Sequence, residues 1–194
     1  ELMIVISLFA IITIAATISY ISFEGGQRLK NGALQIKNDL RLAQSSAQSG
    51  DKGAGSCATA NSLAGWYVTF SSVSGSNSSY TITLDCINVN DENSFSTSTV
   101  NLPQGVTISN LNNGSDRDVV SILFRPLTYN VSFHSSDATI LPSPILGSNI
   151  NFFETTGALA NSLGGAELVI TLYSADGTYL VKINSVGKVF ESKT

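Results

Sequence analysis

At 194 residues the chain is long enough for one good core, or one domain with an appendage, but short for two full domains. Only 12% of residues are charged and 43% are hydrophobic, against roughly 25% charged in an ordinary soluble domain, so serine, threonine and asparagine supply the polarity. A net charge of -4, with Lys+Arg 10 spread along the chain in no basic block, disfavours nucleic acid as a partner. One His and two Cys exclude a zinc site built from four cysteines, or from paired cysteines and paired histidines, and force any catalytic triad through His134. No cofactor, metal site or enzymatic activity is therefore expected.

The chain opens ELMIVISLFAIITIAATISYISF, with no charge between Glu1 and Glu24. About 20 apolar residues cross a hydrocarbon core of about 30 Å as a helix, so residues 1–23 are expected to form a transmembrane or filament-core helix. A removable signal peptide has a shorter apolar stretch, preceded by positive charge, and fits less well. The expected location is a single pass through the cytoplasmic membrane. A carboxylate at the end of such a run, Glu1, is costly in hydrocarbon and is read as functional, although no partner for it is evident in the chain.

The segment Glu1-Leu2-Met3-Ile4-Val5-Ile6-Ser7-Leu8-Phe9-Ala10-Ile11-Ile12 resembles the N-terminal helix of type IV pilins and type II secretion pseudopilins. The resemblance implies a prepilin peptidase that removes a basic leader upstream of Glu1 and a methylated N-terminus a few residues ahead of it. It also implies that Glu1 neutralises the N-terminal amine of a neighbouring subunit during assembly. Other pilin or pseudopilin subunits would be met through this helix, and the globular part would lie outside the membrane, in the periplasm or at the cell surface.

Beyond the apolar run, Leu29, Ala33, Ile36, Leu40, Ala43 and Ala47 recur at steps of three and four, one stripe of a helix. Residues 24–49 are expected to continue the first helix as an amphipathic one, roughly 70 Å in all at 1.5 Å per residue. Gly25 and Gly26 interrupt it at a cost of about 1 kcal/mol each and mark a helix hinge. Gly50 to Gly55 (GDKGAG) stops it; a phosphate-binding loop is excluded because no strand precedes these glycines and no Lys-Ser/Thr follows.

From residue 50 to 194 the period changes from 3.6 to 2, which predicts a β-rich globular domain. Gly65–Phe70, Tyr80–Leu84, Val119–Phe124, Glu167–Tyr173 and Tyr179–Ile183 are β-branched or aromatic runs separated by Ser, Asn and Gly. Asp176-Gly177 signals a hairpin, and a further turn at Ser185–Gly187 precedes Lys188-Val189-Phe190, so the chain closes as a meander. The Asp39–Gln44 helix end, Gly65–Val68 and Ile183–Val189 resemble the minor pseudopilins of the GspH/FimT type, with Leu127 where that group often has glycine after Phe-x-Pro. The fold class expected is α+β: a long helical spine on an antiparallel sheet or sandwich, pilin-like. Asn88–Pro144 otherwise offers no motif.

Cys57 and Cys86 are the only cysteines, and in an oxidising compartment an even pair is expected to form a disulfide. Ser132–Asp137 contains the residue types of a hydrolase triad around His134, but adjacency in sequence is not triad geometry, and a strand-end histidine is the plainer reading. Asn112–Asp118 (NNGSDRD) alternates oxygen ligands around a glycine as calcium loops do. It lacks a closing bidentate Glu and carries Arg117, so a polar turn is expected.

The function expected is that of a structural subunit, a minor pilin or pseudopilin of a type IV pilus or type II secretion pseudopilus, held in the membrane by its helix before assembly. The alternative is a surface binding module, an adhesin or DNA-uptake minor pilin, on the same anchor. The terminal Lys188–Thr194, with two Lys and one Glu, is a poor footprint for DNA.

Overall fold

A computed structural model describes residues 2–53, 62–87, 93–126, 131–135 and 167–193. Glu1, Cys57, Ser136 and Asp137 lie outside the described residues.

The first element is one uninterrupted helix, α1 (Leu2–Ser49), of 48 residues. All six residues of the predicted stripe, Leu29, Ala33, Ile36, Leu40, Ala43 and Ala47, are buried, and Arg28, Lys30, Lys37, Asp39 and Arg41 turn to the other faces. Three alanines in that stripe let the helix backbone approach the sheets closely. The helix ends in a Schellman motif: Asp51 N–H donates to Ser46 C=O at 2.9 Å and Gly50 N–H to Ala47 C=O at 3.1 Å. Gly50 has φ +69°, a left-handed conformation that costs any residue with a Cβ, which is why the helix stops at a glycine.

The expectation of a single-pass anchor in the cytoplasmic membrane, with the globular domain outside, is overturned here. Among the described residues no helix is long and apolar enough to cross a membrane. Crossing takes about 20 consecutive apolar residues. The described part of the apolar stretch of α1 offers no such run, and from Glu24 the same helix runs on through Arg28, Lys30 and Lys37 as an amphipathic element.

Ten strands follow: β1 (Ser62–Ser71), β2 (Ser79–Ile87), β3 (Asn93–Asn101), β4 (Thr107–Asn112), β5 (Asp116–Arg117), β6 (Val119–Phe124), β7 (Val131–Ser135), β8 (Glu167–Ser174), β9 (Gly177–Asn184) and β10 (Val189–Lys193). They form two five-stranded sheets, ordered β3-β2-β1-β6-β7 and β10-β9-β8-β4-β5. Every pairing is antiparallel. The α+β class read from the sequence is the observed one, with the helix packed on antiparallel sheets. The predicted hairpin closes with Ser174 opposite Gly177, leaving Ala175 and Asp176 as its two-residue loop.

Alternation along the strands sends Val68 and Phe70 of β1, Tyr80 of β2, Ile122 and Phe124 of β6, Leu168, Ile170 and Leu172 of β8, and Val181 and Ile183 of β9 into one core with the helix stripe. Phe70 and Tyr80 are directly opposed across β1 and β2, with ring centroids 5.2 Å apart. The Tyr80 hydroxyl crosses from the sheet to the helix and donates to Asp39 Oδ2 at 2.5 Å. Burial, then that hydrogen bond and the negative charge of Asp39, hold the phenol well above its ordinary pKa. Tyr80→Phe removes the donor and leaves a half-buried carboxylate short of a partner, so a loss of about 1–3 kcal/mol is expected in denaturant unfolding. An unchanged midpoint would show that the bond contributes nothing net.

Candidate assembly surface and the predicted site residues

The N-terminal part of α1 presents apolar side chains outward. Leu2, Met3, Ile4, Phe9 and Ile11 are 68–83% exposed, and Val5, Ile6 and Ile12 are exposed as well. The two hydroxyls in this stretch make no demand on a partner, because Ser7 Oγ donates to Met3 C=O at 2.7 Å and Thr13 Oγ1 to Phe9 C=O at 2.8 Å. Such back-bonding to the preceding turn satisfies the polar group within the helix itself and leaves an apolar exterior. Exposure of apolar side chains on this scale marks an interaction surface.

The root of the helix, where it meets the sheets, is built around Gly25 and Gly26. Both are helical. A Cβ on Gly25 would fall 1.5 Å from Asp176 Oδ2, so the β8–β9 loop lies directly against the helix backbone there, while Gly26 faces open space. The packing gives the first glycine a reason to be present that is separate from a hinge. Beside it a cleft of about 290 Å³ is lined by Phe23, Gln27, Leu29, Lys30, Tyr179 and Lys193, with Gly26 and Asp176. Glu24 and Arg28 pair at 2.5 Å on the exposed side of the helix, and Lys37 pairs with Glu191 of β10, tying helix to sheet.

Cys86 is fully buried in β2 beside Leu63 and Leu84, and is disulfide-bonded. The loop after α1 is held to the same place by Trp66, whose indole N–H donates to Asp51 C=O at 2.9 Å.

His134 sits in β7, opposite Ser121 of β6, and is buried. Its Nε2 lies 2.9 Å from Ser132 Oγ, a neighbour two residues away on the same strand. Burial first, then the positive charge of Arg125, push its pKa down to about 4. This is a core histidine held neutral. The unfolded chain takes up a proton near pH 6.5 that the folded one refuses until about pH 4, so the histidine's contribution is complete above pH 6.5 and is lost as pH falls toward 4. The expected loss is about 3 kcal/mol over that window. In unfolding experiments between pH 7 and pH 4, His134→Gln is expected to flatten the profile by that amount; parallel profiles would contradict it.

In the Asn112–Asp118 segment, Asn110 Nδ2 and Asn112 Nδ2 both donate to Asp116 Oδ1, at 3.0 and 2.6 Å. The Asn110 bond and then the Asn112 bond hold the Asp116 carboxyl below its ordinary pKa. Gly114 N–H donates to Asn112 Oδ1 at 3.0 Å, which makes the segment a side-chain-stabilised turn between β4 and β5. Among the described residues no group of three or more His, Cys, Asp or Glu converges on a point.

No family model, no curated protein and no solved structure matches this chain.

Proposed function

We propose that the protein is a filament subunit that assembles by burying the apolar N-terminal surface of α1 between copies of such helices, as a minor pilin or pseudopilin does. The observation that carries this reading is the exposure of Leu2 to Ile6, Phe9, Ile11 and Ile12 on the same helix whose stripe from Leu29 to Ala47 is the spine of the globule. One helix thus serves two purposes: its second half is satisfied by its own sheets, and its exposed first turns are left for another molecule. Apolar helix surfaces associate through close packing, and such a subunit requires no catalytic group. The resemblance of Glu1–Ile12 to the assembly helix of pilins supports the same reading and implies that Glu1 neutralises the N-terminal amine of a neighbouring subunit. We further propose that Cys86 is bridged to Cys57, which would close a loop of about thirty residues and stabilise the globule by roughly 3–4 kcal/mol through loop-closure entropy.

The test is an immunoblot of sheared surface filaments and cell fractions from the native host, with the filament-assembly ATPase present and deleted. The protein is expected in the sheared fraction only when the ATPase is present, and Glu1→Ala is expected to lower its amount there. Absence from the sheared fraction in both strains would overturn an extended pilus, and normal incorporation of Glu1→Ala would remove the role of that residue.

A further inference from the structure

The two sheets have four edges, and three of them are guarded. β5 is two residues long, Asp116 and Arg117, both charged. β10 carries Glu191 and Lys193. β7 is short, five residues, and is buried on both faces at Phe133 and His134. Short length, charge and cover are the means by which edges avoid pairing with other chains. β3 has none of them. It runs nine residues, Asn93-Ser94-Phe95-Ser96-Thr97-Ser98-Thr99-Val100-Asn101, with no charge and no proline, and in continuous register with β2 without a bulge. Ser96, Thr97, Ser98 and Thr99 are all exposed, so neither face of the strand is covered at its centre. Among the described residues β2 is its only partner, which leaves alternate N–H and C=O groups along the other side directed outward.

We propose that β3 is a strand-addition edge whose occupant is β3 of a second copy of this chain, paired antiparallel about a two-fold axis at Thr97. The strand is complementary to itself. In that register Thr97 opposes Thr97, Ser96 opposes Ser98, Phe95 opposes Thr99, Ser94 opposes Val100 and Asn93 opposes Asn101. Threonine and serine pairs are favourable cross-strand neighbours, and with no charge in the strand no like charges are brought together. An isologous contact of this kind joins two sheets into one of ten strands and uses no residue of α1. It is therefore independent of the filament reading, and either can fail without the other.

Directly opposed residues of an antiparallel pair have Cα atoms about 4.5–5.5 Å apart, within disulfide range. In the full chain under mild oxidation, Thr97→Cys is expected to give a covalent dimer in yield about tenfold above Ser192→Cys, an exposed control on β10. Adding Thr99→Lys, which places a charge on the edge, is expected to return the yield to the control level while the melting temperature stays put. Equal yields at positions 97 and 192, or a dimer insensitive to the lysine, would overturn the proposal; pairing of β3 with a different protein would appear as the first of these.

Discussion

Leu40→Ala is expected to lower the unfolding free energy by about 3 kcal/mol, the middle of the range for leucine truncation in a tight core. Leu40 is fully buried at the centre of the helix stripe, in the cluster that joins α1 to both sheets, and beside it Asp39 receives the Tyr80 hydroxyl. Alanine is the better helix former, so the loss reports the cavity and not the helix. The stripe already holds Ala33, Ala43 and Ala47, which leaves few side chains able to shift into the space. A domain with a net stability of about 5–15 kcal/mol would be brought near its threshold. Urea unfolding of both proteins measures the difference, and a change below 1 kcal/mol would mean that the helix is not integral to the core.

Ile4→Asp together with Phe9→Asp is expected to do the opposite: to abolish assembly and leave folding untouched. Both side chains are exposed, so the globule should melt as the parent does, within about 0.5 kcal/mol. Between packed apolar helices, by contrast, each unpaired carboxylate costs several kcal/mol, enough to reduce the amount in the sheared filament fraction by about tenfold or more. Incorporation at the parental level would show that this surface is not what neighbouring subunits contact, and would count against the proposed function itself.

The readings that held rest on strong periodicity. Six residues at steps of three and four placed one face of α1 correctly because a helix stripe is a local pattern, visible without knowing what it packs on. Val119–Phe124 was legible to the residue, and the last three strands to within a few residues, because β-branched runs were bounded by turn glycines. The middle was not legible. The centre of β3, Ser96 to Thr99, is polar and exposed on both faces and so shows no alternation. β4 carries an irregularity between Ile108 and Asn110 that breaks its period, and β7 has only five residues. His134 reads as a catalytic candidate by composition; the Ser121 that opposes it and the Arg125 charge that acts on it belong to or follow a strand that only the pairing brings near.

Hydropathy misled at the N-terminus. The uncharged run reads as a membrane span, yet among the described residues no helix is long and apolar enough to cross a membrane. By itself, the amino-acid sequence determined what depends on neighbours in the chain: the helix and its buried face, its stop at Gly50, the closing hairpin and the α+β class. The tertiary structure alone decided which strands share a sheet, why Gly25 must lack a side chain against Asp176, that Tyr80 answers Asp39 across the core, and that β3 lies at the edge of its sheet among the described residues. Those are contacts between residues tens of positions apart, and they follow from register and packing, which no local pattern encodes.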